Sequence, residues 1–396
     1  MSFDDNPPHR YADNALRWLL YGVVVALLLG RRLFVELLYA AAFAEIAIIH
    51  LKNSWRTLPT PLVVTTAMAI AFTVLGVLSD GIAGSAPDSV RSLLLFPIAT
   101  LAAYLTASNP RGFWVGTREN TLLALLALFV TVHVIAGQFR PGDSGLFSNP
   151  HYLALYASIS LPIYVLLLRT TDGWRRPLAA ILLVINFAML LQTHSRPAWL
   201  AVMLGAAVTL PFLSVRLRIV VSSALVAVPT ALYWSNALQF RERVTALLTN
   251  LATEERVAIW SEAWLMQTQA PVASWYWGNG FAAFARDFKH YSSFHGVADF
   301  IFPHNFVLEI LYASGLPVLI AVSAALFWLL LRLVQAIRRH KETETGTRAL
   351  LLLSILTIHL SLTFLTVPFY SRYSLMPLSL MFGIALWLTR PAERIP

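Results

Sequence analysis

Long apolar runs recur along almost the whole chain and are separated by short polar segments. Each run holds roughly 17–22 residues, enough for a helix to cross about 30 Å of hydrocarbon. An open sheet in lipid would leave backbone groups unpaired at its edges, and the alternating pattern of a membrane barrel is absent. The pattern therefore predicts an all-α, polytopic membrane protein with about 12 transmembrane helices. The predicted spans are 16–30, 33–51, 60–78, 90–107, 120–138, 152–168, 177–193, 198–213, 217–235, 303–331, 348–366 and 372–390.

One long polar segment separates the ninth predicted span from the tenth. It divides the chain into nine transmembrane helices in residues 1–235, one large loop with interfacial helices in 236–302, and three transmembrane helices in 303–396. Loops carry a disproportionate share of binding and catalytic residues, so we expect chemistry at this loop.

The loop contains local signals for structure at the membrane surface. The acids of Thr253-Glu254-Glu255 suit the first turn of a helix, and Val257, Trp260 and Trp264 follow at helical spacing. These residues predict a helix that lies on the membrane surface. Gly278-Asn279-Gly280 predicts a turn that a Cβ atom would obstruct.

Charge is scarce and unevenly distributed, which indicates orientation. Of 396 residues, 58% are hydrophobic and 12% are charged, whereas soluble domains carry roughly 25% charged residues. Lys and Arg gather in the short loops of one side, which places the N-terminus in the cytoplasm and the large loop in the periplasm of a bacterial inner membrane. The N-terminus lacks a small-residue cleavage site and is expected to be a retained anchor.

Several chemistries are excluded or disfavoured by composition. The net charge of +9 is explained by orientation, and because no soluble basic domain is present we expect no nucleic-acid partner. The absence of cysteine excludes disulfides, thiolate metal sites and cysteine nucleophiles. No acidic pair resembles the metal site of nucleotide-sugar transferases, and no glycine-rich phosphate loop occurs, so no metal or cofactor is expected.

Six arginines lie in short turns on the predicted outer side, whereas positive charge normally concentrates on the cytoplasmic side. Their position therefore suggests a specific role. Several guanidinium groups meeting at the outer leaflet would bind a lipid diphosphate, although each could instead reach lipid phosphates or pair with an acid. For Arg196 we favour diphosphate binding, because this residue lies in a short polar turn, 193–197, between two apolar spans. The outer-turn arginines are Arg31, Arg32, Arg91, Arg140, Arg196 and Arg372.

His304 lies where the large loop returns to the membrane and the tenth helix begins. The dipole of a helix N-terminus disfavours a protonated imidazole, so a neutral ring could accept a proton from a sugar hydroxyl. A capping histidine or a core hydrogen bond would explain the same position. Glu309, little more than one turn further on, is a candidate for orienting polar groups there.

These motifs, taken in order around one large loop, resemble the O-antigen ligase family, within a group that includes O-antigen polymerases and protein O-oligosaccharyltransferases. The resemblance covers roughly residues 190–320. After Gly315 the sequence departs from the family pattern, because Leu316-Pro317 replaces a second glycine often seen there. The matching motifs are Ser195-Arg196, Glu255-Arg256 with Trp260 and Ala263, Gly278-Asn279-Gly280 with Phe281 and Phe284, and Pro303-His304-Asn305 with Leu308 and Gly315.

The resemblance implies transfer of O-antigen from undecaprenyl diphosphate to a lipid A-core sugar, with no nucleotide hydrolysis and no required metal. By the same resemblance, His304 is the base that activates the acceptor hydroxyl. The implied cations for the donor diphosphate are Arg196 and Arg256, to which the outer-turn arginines Arg140, Arg372 and Arg91 are added. Further possible substrate contacts are Asn305, His194, His151 and Asn149, the last two in a turn similar to the family's.

Three other functions use similar features. An O-antigen polymerase uses the same donor but often has two large periplasmic loops, whereas this sequence predicts one. A protein O-oligosaccharyltransferase would more often carry additional soluble sequence at its C-terminus. A lipid or glycan transporter would be expected to show repeated halves and helix-breaking Gly/Pro pairs near mid-membrane, and neither is evident.

Overall fold

A computed structural model describes residues 96–104, 118–291 and 300–389, except positions 98, 102, 138–141, 143, 148, 237–238 and 250–254. All regular secondary structure in this part of the chain is helical, as the sequence predicts. Residues 96–104, within the predicted span 90–107, are helical where they are described. A short 3-10 turn lies at Leu210–Phe212. The remaining helices are α1 (Arg118–Gly137), α2 (Pro150–Thr170), α3 (Arg175–Gln192), α4 (Arg196–Ala207), α5 (Val215–Ser235), α6 (Phe240–Thr249), α7 (Glu255–Gln269), α8 (Val272–Trp277), α9 (Ala283–Tyr291), α10 (Phe306–Arg339), α11 (Glu344–Leu365) and α12 (Arg372–Leu388).

Five of these helices, α2, α3, α5, α10 and α11, are long and apolar enough to cross a membrane, which makes this a multi-pass membrane protein. Shorter apolar helices occupy the predicted spans 120–138, 198–213 and 372–390. The predicted spans 16–30, 33–51 and 60–78 lie outside the described residues, and the total of about 12 spans stays a prediction.

Helix α11 lies at the centre of the described bundle and contacts α2, α4, α10 and α12. Leu356 and Leu362 on this helix have no exposed surface. Gly205 lets α4 approach closely, because a Cβ there would meet the Ile358 side chain, and the Ser354 hydroxyl donates to the Gly205 carbonyl at 3.0 Å. Small residues and interhelical hydrogen bonds of this kind drive helix packing in lipid.

The segment 236–302 folds into the short helices α6 to α9 in its described parts. Helix α7 occupies the helix predicted after Thr253 and packs Ile259, Ala263 and Met266 against α9. The apolar face predicted from the sequence is more exposed than this packed face, since 38% of the Val257 surface and 50% of the Trp264 surface are exposed. Helix α7 therefore has two apolar faces, one buried in protein and one available to the surroundings.

The turn Gly278-Asn279-Gly280 fits into a break in α10. Gly315 adopts φ 83° and ψ 172°, which interrupts the helix just before Pro317. The freed carbonyls of Tyr312 and Ala313 accept hydrogen bonds from the backbone N–H groups of Asn279 (2.8 Å) and Gly280 (3.1 Å). The departure from the family pattern after Gly315 thus coincides with a broken helix whose polar groups another segment satisfies.

Gly278→Ala should destabilise this connection. Gly278 has φ 75° and ψ −178°, and an added Cβ would collide with the α10 backbone at Ala313. We expect a loss of about 1–3 kcal/mol from the collision, beyond the conformational strain. Thermal unfolding of the purified protein in detergent measures it.

Gly173→Ala is the matched control, since Gly173 also has positive φ but open space around its Cα. It should cost only the left-handed strain of about 1–2 kcal/mol. Equal shifts in melting temperature for the two variants would contradict the close approach of the turn to α10.

Candidate active site

The candidate site begins with His304, two residues before α10. Its backbone is left-handed, with φ 54°, an uncommon conformation for a residue other than glycine. Asn305 caps the helix, since its side-chain oxygen accepts from the N–H groups of Val307 at 3.0 Å and Leu308 at 3.3 Å. The Asn305 side-chain oxygen therefore serves as a helix cap next to His304, and the predicted contact of Asn305 with substrate stays a prediction.

The imidazole of His304 is held in one orientation by the end of α11. Its Nδ1 lies 2.6 Å from the backbone carbonyl oxygen of Thr366. A carbonyl only accepts, so Nδ1 carries the proton and Nε2 keeps its lone pair. Phe300 packs edge-on against the ring, with centroids 6.3 Å apart. The ring is therefore held in place, and in its neutral form Nε2 is the nitrogen that can accept a proton.

Arg256, in the first turn of α7, reaches the same residue of α11. Its Nη2 lies 3.4 Å from the Thr366 hydroxyl oxygen and donates to it. Thr366 thus binds the candidate base through its carbonyl and the candidate cation through its side chain. The structure brings together His304 and Arg256, which lie 48 positions apart, through a residue that the sequence does not single out.

A second histidine approaches this group from the start of α2. Asn149 caps α2 by accepting from the His151 N–H at 2.8 Å, and the His151 Nδ1 lies 3.5 Å from the Ser195 hydroxyl. His151 lies within electrostatic range of Arg256 and His304. The turn 149–151 is therefore part of the site, although Asn149 itself serves as a cap.

The turn that contains Arg196 joins the site through Ser195, which contacts His151. His194 is left-handed, with φ 54°, and its carbonyl accepts from the Arg196 N–H at 3.1 Å. Arg196 begins α4 beside this contact. Of the other arginines that we expected here, Arg372 begins α12 but its side chain is outside the described part of the chain, as are Arg91 and Arg140 altogether.

Sequence reasoning missed the connection between α11 and α12, residues 366–371. This connection supplies Thr366, and the backbone N–H groups of Phe369 and Tyr370 donate to the Glu309 carboxylate at 2.7 Å and 3.0 Å. The Tyr370 hydroxyl lies 2.8 Å from the Ser314 hydroxyl on α10. The spacing of residues in the sequence does not predict these contacts, because they join positions that are about 60 residues apart and meet only in the folded protein.

An open groove of about 480 Å³ runs beside the site between α7 and the start of α10. Its walls are mostly apolar, and the residues next to it in the chain include both Arg256 and His304. A chain of hydrocarbon could lie in such a groove with a charged head group at Arg256. The lining residues are Val257, Trp260, Ser261, Trp264, Asn305, Val307, Leu308 and Phe364.

Comparison with known protein families assigns this region. A family model described as O-antigen ligase matches residues 179–323. Residues 179–323 are similar to the O-antigen ligase family. The resemblance seen in the sequence is thereby confirmed, and the family indicates glycosyl transfer with lipid-linked glycan substrates. The chain has no match among curated proteins.

The matched region contains Arg196, Arg256 and His304, but the candidate site is larger than that region. His151 precedes residue 179 and Thr366 follows residue 323. Thr366 contacts both Arg256 and His304, so the candidate site extends beyond the matched region.

The surroundings of His304 influence its protonation. Burial lowers the pKa of His304, the hydrogen bond to the Thr366 carbonyl opposes this by raising it, and the charge of Arg256 lowers it further. The net effect is a pKa below the ordinary value of 6.5. The ring is therefore neutral, and able to accept a proton, at pH values where an ordinary histidine is partly protonated.

Arg256→Gln should raise the pKa of His304, since it removes a positive charge that disfavours the imidazolium. Histidine ring signals of ¹⁵N-labelled protein, followed against pH, measure the midpoint, and His304→Gln identifies the signal. Arg218→Gln is the control, because Arg218 lies at the start of α5 and binds the Leu210 carbonyl. An unchanged midpoint in Arg256→Gln would contradict the electrostatic coupling.

Proposed function

We propose that this protein transfers an O-antigen polysaccharide from undecaprenyl diphosphate to the lipid A-core oligosaccharide at the periplasmic face of the bacterial inner membrane. The observation that carries the proposal is the meeting of His304 and Arg256 on Thr366. The imidazole offers Nε2 as a base, and a guanidinium suited to phosphate lies beside it. The match to the O-antigen ligase family supports the same reaction class.

Direct displacement at the anomeric carbon fits these groups. Nε2 of His304 takes the proton of the acceptor hydroxyl while the hydroxyl oxygen attacks the anomeric carbon. The bond from that carbon to the phosphate oxygen breaks, and undecaprenyl diphosphate leaves with the electron pair. Arg256 and Arg196 stabilise the negative charge that develops on the diphosphate. One such displacement inverts the anomeric configuration and requires no nucleotide.

The groove beside the site supports a prenyl-linked donor. Its apolar walls between α7 and α10 suit hydrocarbon, and Arg256 precedes the groove residue Val257 in the chain. A prenyl chain in the groove would place its diphosphate at Arg256. The glycan would then extend toward His304, which precedes the groove residue Asn305.

The distribution of charge along α10 supports a periplasmic site. His304 lies at the start of this helix, and Arg338 and Arg339 lie in its last turn, more than thirty residues away. Arg169 ends α2, whose first turn carries His151. Basic residues mark the cytoplasmic ends of spans, so the ends that carry the two histidines are expected to face the periplasm.

His304→Ala should abolish conjugation, because loss of a general base commonly reduces the rate by about 10²–10⁴. Purified protein is given carrier-linked glycan and lipid A-core without nucleotide and with a chelator, and conjugate is measured on gels. His340→Ala, at the opposite end of α10, is the matched control and should retain activity. Wild-type conjugation by His304→Ala would remove His304 from the mechanism, and product formed only on a second carrier-linked glycan would identify a polymerase.

Ser261→Trp should fill the groove and raise the KM for the prenyl-linked donor several-fold, while the KM for lipid A-core stays the same. Thr268→Trp is the control, since Thr268 is exposed on the same helix and does not line the groove. Steady-state kinetics at varied donor concentration measure the effect. An unchanged donor KM in Ser261→Trp would argue against a prenyl chain in this groove.

A further inference from the structure

Glu309 is a fully buried acid that the proposed mechanism does not use. It lies in the first turn of α10, with 4% of its surface exposed. Its two carboxylate oxygens accept from two consecutive backbone N–H groups, Phe369 on Oε2 at 2.7 Å and Tyr370 on Oε1 at 3.0 Å. These two hydrogen bonds fix the connection 366–371 against α10.

The connection that Glu309 holds is the one that orients His304. The Thr366 carbonyl accepts from His304 Nδ1 at 2.6 Å, and Phe369 follows three residues later. Glu309 and His304 are five residues apart, on either side of the Asn305 cap. The two partners of the hydrogen bond, His304 and Thr366, are therefore both fixed to the start of α10. Glu309 binds the backbone of 366–371, Thr366 in that segment binds His304, and His304 is joined to Glu309 by the chain. These contacts form a closed ring.

Other contacts hold the same connection but do not replace Glu309. The Ser314 and Tyr370 hydroxyls lie 2.8 Å apart, and the Phe369 and Phe306 rings pack at 5.9 Å. The backbone N–H groups of Thr366 and Val367 also donate to the Leu362 carbonyl at 2.8 Å each, which holds the start of the connection to α11. The contacts of Ser314 and Phe306, which reach the connection from α10, involve side chains, which can rotate without moving the backbone. Glu309 binds the backbone itself through two atoms, which restricts both the position and the direction of the peptide groups.

We infer that Glu309 is a positioning residue, which through the backbone of residues 366–371 holds the Thr366 carbonyl against His304 Nδ1 and thereby keeps Nε2 as the proton-accepting atom. This inference rests on the proposed function for its catalytic consequence, but its structural part concerns only the tautomer of His304. Which ring nitrogen carries the proton is set by the hydrogen bond that the other makes.

The test compares Glu309→Ala and Glu309→Gln with the wild type. Ring ¹⁵N signals of labelled protein report the tautomer of His304, assigned with His304→Gln. The wild type should show the Nδ1–H tautomer, Glu309→Ala a mixture of both, and Glu309→Gln an intermediate state, since an amide keeps only one accepting oxygen. In the conjugation assay kcat should fall in the same order, on the order of 10²-fold for Glu309→Ala, with donor KM nearly unchanged.

Leu329→Ala is the matched control for damage to α10, since Leu329 is fully buried in the same helix. It should lower the melting temperature and leave the His304 tautomer as in the wild type. If Glu309→Ala does not fold, Glu309→Gln carries the test. A wild-type tautomer in a folded Glu309 variant would overturn the inference, whether or not kcat falls. A changed tautomer with wild-type kcat would uphold the inference and remove His304 as the base.

Discussion

The hydrogen bond from His304 Nδ1 to the Thr366 carbonyl is the interaction on which the site depends. The last carbonyls of a helix have no partner within that helix, and Thr366 caps the end of α11. The site uses this free acceptor to select the imidazole tautomer. Arg256 binds the hydroxyl of the same residue, so the end of one central helix fixes both the base and its neighbouring cation.

Much of the helical architecture follows from local properties of the sequence. Apolar runs predict α2, α3, α5 and α11 within a few residues, because in lipid the backbone must satisfy its hydrogen bonds within each span. They also predict α10, but this helix continues eight residues beyond the predicted end at 331. The turn at Gly278 is predictable because the two glycines flanking Asn279 permit conformations closed to other residues. The break in α10 at Gly315 is harder to predict, because its free carbonyls are satisfied by the Gly278 turn, which is 37 residues away in the sequence.

The site is only partly predictable, for a related reason. His304 and Arg196 stand out because polar residues at membrane turns need a local explanation. Thr366 does not, since a threonine at the end of an apolar helix is ordinary in isolation. The role of Asn305 as a cap, with its side chain bound to Val307 and Leu308, also could not be separated from a substrate contact by residue type alone.

Under the proposed function, the same geometry would let a membrane protein promote glycosyl transfer with few groups. A donor that already carries a diphosphate leaving group needs a cation at the departing oxygens and a base at the attacking hydroxyl, held at a fixed separation. The cation and the base come from α7 and from the residue before the α10 cap, which move independently unless something joins them. Thr366 joins them directly, and the Gly278 turn joins the segment after α7 to α10 again at Tyr312 and Ala313. The first connection runs through the end of α11 and the second through the turn after α8, so the region around Arg256 and the start of α10 are held to each other at two separate places.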